Sequence, residues 1–233
     1  MTSAAFLALV AHMGPSSAVI VETPPGEVAS VKLSLAIDND WQFQEGECLL
    51  IPILVSYGRA DDTSIIGELT VTKANDPSVA NEGTFLVLPG DPVSGQLLDE
   101  IFVCPADGTG EYRLNSVIRA IEPSQEQAFP LDALTFWVRP ATSTMSDLNA
   151  TAIKGGTRIL GAVEAGRDFA TGIVEIRYRS PGRSQWTVAS RVPVEEGTFD
   201  VVLDRTLPAR SIVKATLTGC SWCKRVSDTT SVR

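Results

Sequence analysis

Apolar and polar positions alternate along almost the whole chain. In VKLSLAI, Val31, Leu33, Leu35 and Ile37 fall on one side of an extended segment, with Lys32 and Ser34 on the other. That period of two is the signature of a half-buried β-strand. CLLIPILVSY (48–57) is apolar on both sides, as a strand in the middle of a sheet would be. GELTVTK, GTFLVLP, EIFVCP, EYRLNSVIRA and ALTFWVR follow, separated by Gly, Pro, Asn and Asp clusters. Short strands at this spacing, with no amphipathic helix between them, predict an antiparallel β-sandwich.

A second series begins after the small and polar stretch RPATSTMSD (139–147), which reads as a linker. It runs TRILGAVEA, GIVEIRYRS, QWTVASRVPV, GTFDVVLDR, SIVKATLTG and VSDTTSV. Val174, Ile176 and Tyr178 form one apolar stripe, Phe199, Val201 and Leu203 a second, and Trp186, Val188 and Val192 a third. SPGRSQ is a turn between two of these strands. Charge marks the same boundary: residues 19–140 hold 6 Lys/Arg against 19 Asp/Glu, whereas residues 141–233 hold 13 against 9. The expectation is therefore an acidic sandwich over 19–142 followed by a basic one over 143–233. A net charge of -9 makes nucleic acid and anionic membrane poor partners for the chain as a whole.

The run VEIRYRSPGRSQWTVASRVPVEEGTFDVVL resembles the immunoglobulin-like repeats of bacterial secreted surface proteins, which share the fibronectin-III and immunoglobulin sandwich architecture. The matching residues are Pro181 and Gly182 in a turn, Trp186 in the next strand, then Gly197 and Phe199 opening another. In DGTGEYRL, Asp107, Gly110 and Tyr112 are similar to a tyrosine corner. Leu114 stands where antibody-type domains carry the second cysteine, so the resemblance does not extend to their disulfide. It implies an all-β fold of two tandem antiparallel immunoglobulin-like sandwiches and says little about ligands.

AAFLALVA (4–11) is an apolar run, followed by SSA at 16–18. Small residues at these positions fit a secretory signal peptide over residues 1–18, although residues 1–11 carry no Lys or Arg. The chain's one histidine, His12, lies inside that segment. A processed protein would have none, which excludes Ser-His-Asp and Cys-His nucleophilic mechanisms and histidine-ligated metals. Export would place the cysteines in an oxidising compartment. Cys220 and Cys223 sit between two strands, where no helix N-terminus is available to activate a thiolate. They are expected to bridge each other and to leave Lys224 and Arg225, both candidates for anion or partner binding, on a rigid exposed loop beside Trp222. Cys48 and Cys104 are expected to form the second bridge.

Asp38, Asp40, Glu45 and Glu47 cluster in AIDNDWQFQEGE and are weak candidates for calcium, without the spacing of an EF-hand loop. Arg177 and Arg179 lie two apart on the solvent side of one strand, and Arg191 can join them from its neighbour. Such a positive stripe could bind an anionic cell-wall polymer or an acidic protein surface. The charge difference between the two halves also allows weak head-to-tail self-association. The chain thus reads as an exported, non-catalytic surface interaction or spacer protein needing no cofactor and spanning no membrane. The alternatives are a carbohydrate-binding accessory module, which would need an exposed aromatic among Trp41, Trp137, Trp186 and Trp222, and a virion or injection-machine decoration protein.

Overall fold

A computed structural model describes residues 18–22 and 31–233. The proposed signal peptide, but for Ala18, lies outside the described residues. The chain forms two compact units. Unit 1 contains the described residues up to Trp41 and then Leu49–Val138, while unit 2 contains Gln42–Cys48 and Arg139–Arg233.

In unit 1, β1 (Ala18–Glu22), β2 (Val31–Asp38), β4 (Leu49–Arg59) and β7 (Ser94–Val103) form one sheet in the order β1-β2-β4-β7. The second sheet has the order β3-β9-β8-β5-β6, from β3 (Asp40–Gln42), β9 (Gln125–Arg139), β8 (Gly110–Glu122), β5 (Ser64–Lys73) and β6 (Asp76–Val87). The alternation read in the sequence fills the space between them: Val31, Leu33, Leu35 and Ile37 are buried, as are Ile51, Ile53 and Val55 of β4. The outer side of β4 is different, because Leu50 is exposed there beside Phe102 of β7. Strand order β2-β4-β7 facing β9-β8-β5 is that of an immunoglobulin-type sandwich, with its first strand split between the sheets as β2 and β3.

The corner before β8 is built as the sequence suggested. The Tyr112 hydroxyl lies 2.7 Å from the Gly108 carbonyl oxygen and 3.0 Å from that of Asp107, and its ring stacks on Phe136. The Asp107 carboxylate accepts the Cys104 amide, fixing the short 3-10 turn Pro105–Asp107 that leads into the corner.

Unit 2 has three strands opposite four. β10 (Ser143–Ile153), β11 (Gly156–Ala165) and β15 (Thr198–Leu203) make one sheet, with the two-residue β12 (Asp168–Phe169) beside β11. The other has the order β14-β13-β16-β17, from β14 (Thr187–Pro193), β13 (Ile173–Arg179), β16 (Ile212–Thr218) and β17 (Ser227–Ser231). This division is the one shared by fibronectin-III-like sandwiches. Val174, Ile176, Phe199, Leu203, Val213, Ala215 and Leu217 form the core.

Two expectations need correction. The stretch 139–147 is not a linker: β9 runs to Arg139 and β10 starts at Ser143, leaving only residues 140–142 between them. Nor do Trp186, Val188 and Val192 form a buried stripe. The β13–β14 register shifts between Ile176 and Arg177, so Ile176 faces Ser190 while Arg177 faces Val188. The extra β14 residue turns Val188 to the outside, where it is 47% exposed.

Candidate functional site

The most heavily charged surface among the sequence candidates is the outer face of the β14-β13-β16-β17 sheet. Because alternate residues of a strand share a face, Glu175, Arg177 and Arg179 project together from β13. Cross-strand register adds Arg191 and Val188 from β14, and Thr216 and Lys214 from β16. Ser227, Thr229 and Ser231 of β17 extend the same face and are exposed.

Glu175 is the residue that sequence reading passed over, and it organises the face. Its side chain keeps only 8% of its exposure, whereas those of Arg177 and Arg191 keep 46% and 68%. The Arg177 Nε–H donates to Glu175 Oε1 at 2.6 Å; Arg191 donates through Nε and Nη2 to Oε2 at 3.0 and 2.8 Å. Hydrogen bonds from Arg191 and then Arg177 hold the Glu175 carboxyl below the usual carboxylate range, against a smaller opposing effect of desolvation. The only sequence hint was Glu175 two residues before Arg177, and the Arg191 partnership depends on strand pairing.

Arg179 is placed separately. Its guanidinium lies over the Trp186 ring, 5.1 Å from the centroid, in a cation–π contact that holds its position. The face therefore carries Arg177, Arg179, Arg191 and Lys214 against one carboxylate.

All four cysteines are oxidised, as Cys48–Cys104 and Cys220–Cys223. Leu49 pairs with Val103, so the first bridge continues the β4–β7 ladder by one rung. The second lies between β16 and β17, on a tip that is anchored rather than free. Trp222 is 2% exposed. Its indole N–H donates to the Thr171 hydroxyl, and Gly46 of the 42–48 segment lies against the ring. The Trp222 carbonyl accepts the Ala141 amide, and the Lys224 amide donates to the Ala141 carbonyl, each at 2.8 Å. The Lys224 and Arg225 side chains are exposed.

Asp38 and Asp40 lie in unit 1 and Glu45 and Glu47 in unit 2. Among the described residues, no group of three or more His, Cys, Asp or Glu is arranged to hold a metal ion. Of the remaining tryptophans, Trp137 is 50% exposed, and Trp41 is half-buried with its indole N–H on the Asp38 carbonyl. No helix among the described residues is long and apolar enough to cross a membrane.

These features define an all-β protein of immunoglobulin-like architecture. No protein-family model matches the chain, and no curated protein does. Among solved structures it is similar to the FN1–FN3 domains of chicken CNTN1, at 7% identity and a TM-score of 0.29, over 84% of this chain and 66% of that one. It is also similar to the red sea bream transglutaminase, at 11% identity and a TM-score of 0.37, over 91% of this chain and 34% of the enzyme. A third similarity, at 12% identity and a TM-score of 0.25, is to the two tandem V-type regions of VCBP3, a v-region-containing chitin binding protein. It covers 85% of this chain and 99% of that one.

Proposed function

We propose that this chain is an exported, non-catalytic interaction or spacer protein built from immunoglobulin-like modules. The observation that carries the reading is the oxidised state of all four cysteines on two β-sandwich units. Disulfides persist where the medium is oxidising, and neither pair here stands at the N-terminus of an α-helix, Cys104 capping only the three-residue 3-10 turn Pro105–Asp107. Two of its most heavily bonded charged side chains have building roles: Arg59 donates to five backbone carbonyls, and Glu175 aligns two arginines. A module of this kind acts through its sheet faces and loops, which the two cores hold rigidly.

Protein purified from its native source tests the reading. Peptide mapping without reductant should recover the 48–104 and 220–223 bridges and no alkylatable thiol. N-terminal sequencing should begin at Val19. Free thiols together with an intact segment 1–18 would place the protein in a reducing compartment and end the export reading.

A further inference from the structure

We infer that the outer face of the β14-β13-β16-β17 sheet is a preformed cradle for an anionic polysaccharide, with Glu175 as the residue that positions its arginines. This rests on the exported-module reading and adds to it a ligand class and a mechanism.

The first argument is the state of the guanidinium groups. An arginine on an open surface ordinarily loses side-chain entropy when it grips an anion. Here that ordering is already present in the unbound protein. Arg177 engages Glu175 through Nε alone, so both its amino groups are available to an outside acceptor. Arg191 uses Nε and Nη2 and keeps Nη1. Arg179 is held over the Trp186 ring. Planar guanidinium groups with fixed forks suit carboxylate, sulfate and phosphate oxygens. Glu175, being almost buried, neutralises part of this charge without presenting a broad negative surface to a ligand.

The second argument is spacing. Arg177 and Arg179 are two residues apart on β13, about 6.7 Å along the strand, and neighbouring strands lie about 4.8 Å apart. Arg177 faces Lys214 directly across β16. The cations thus form a short two-dimensional array, suited to successive anionic groups of one polymer rather than to a single small ion.

The third argument separates a polysaccharide from an acidic protein. Protein interfaces concentrate aromatic and apolar anchors at their centre and place charge at the rim. This face does the reverse. Its two inner strands carry Glu175, Arg177, Lys214 and Thr216 side by side, and its apolar residues lie around them, with Val188 on edge strand β14, Ile173 and Ile212 at the two ends, and Trp186 under Arg179. Beside the cations runs the row of Ser227, Thr229 and Ser231, all exposed. These are small hydroxyl groups able both to donate to and to accept from sugar hydroxyls.

Simple electrostatic attraction and a built cradle predict opposite effects for one substitution. Glu175→Gln removes a negative charge from a basic face, so general attraction should strengthen. In a cradle the same change releases Arg177 and Arg191, and binding should fall about tenfold. The experiment measures binding of the full chain to dextran sulfate and polygalacturonate, with neutral dextran and poly-glutamate as comparison probes. Wild type should bind at least one of the anionic polysaccharides and neither comparison probe. Because replacing a nearly buried carboxylate can disturb folding, Arg177→Lys with Arg191→Lys provides a second arm. It conserves every charge and loses the forks, and it should also weaken binding about tenfold. Equal or tighter binding by a folded Glu175→Gln variant, or full binding by the double lysine variant, overturns the cradle. Binding to poly-glutamate alone moves the partner to an acidic protein and overturns the polysaccharide assignment. No binding to any probe does so too, while leaving the disulfide and N-terminal tests of export untouched.

Discussion

The phenol of Tyr112 shows how much one side chain can fix in unit 1. It is fully buried, shares its one hydrogen between the Asp107 and Gly108 carbonyls, and stacks on Phe136. Lys73 reaches the same Asp107 carbonyl from β5 at 2.6 Å, so two strands converge on that turn. Tyr112→Phe keeps the ring and removes the hydroxyl, and it should cost about 1–2 kcal/mol. The cost should also depend on pH. Burial, and secondarily the Asp107 charge, raise the Tyr112 pKa above the ordinary tyrosine value of about 10. Ionisation of this phenol above that pH therefore favours the unfolded chain. The contribution is fully present below about pH 10 and is lost as pH rises further. Urea melts of wild type and Tyr112→Phe at pH 8 and near pH 11 should show the wild-type advantage shrinking. A constant advantage would mean that the hydroxyl titrates equally in both states, and a growing one that folding lowers its pKa; either outcome overturns the argument.

A glycine set beneath a phenylalanine recurs in the strands of both units. Gly67 of β5 pairs with Phe85 of β6, and Gly161 of β11 pairs with Phe199 of β15. A Cβ added at Gly67 would overlap the Phe85 ring, and one at Gly161 would come 2.7 Å from the Phe199 ring. The absent side chain makes room for the partner's ring across the ladder. Gly161→Ala must push Phe199 out of its buried position and should destabilise unit 2 by about 1–3 kcal/mol. Thermal melts will show this, and in a Phe199→Leu background the added methyl should cost less. Equal costs in both backgrounds would show that the ring does not need the space. Such pairings explain what the sequence could and could not reveal. The strands were legible because period two survives even where a glycine interrupts it. The Val188 error and the omission of Glu175 have one cause: both depend on which residue stands opposite on another strand. A bulge in β14 changes Val188 from inside to outside without altering the apolar pattern. Glu175 read as one more solvated charge until register placed Arg191 across from it.

At the scale of the whole chain, the parts that escaped sequence reading are those made by residues distant along it. Residues 42–48 belong with unit 2 although the strands on either side of them build unit 1. Trp222 is buried because Gly46, Ala141 and Thr171 gather around it, from three separate stretches. The cysteine pairs were readable because export would oxidise them and each pair fell within one expected sandwich, and they differ greatly in span. Cys48 and Cys104 are 56 residues apart, whereas Cys220 and Cys223 are separated by 3. On the loop-closure relation the long bridge removes unfolded-state freedom worth about 4 kcal/mol, and the short one about 2 kcal/mol. Cys223 is 7% exposed, so its truncation also sacrifices packing of about 1 kcal/mol. Cys48→Ala with Cys104→Ala should therefore destabilise the chain more than Cys220→Ala with Cys223→Ala, by about 1 kcal/mol or more. Denaturant melts of the two double variants, each in the full chain under non-reducing conditions, measure the difference. The short bridge should act locally instead, and its loss should alter Trp222 fluorescence before the global transition. Equal losses of stability, with Trp222 emission unchanged until unfolding, would show that loop span does not set the worth of these bridges.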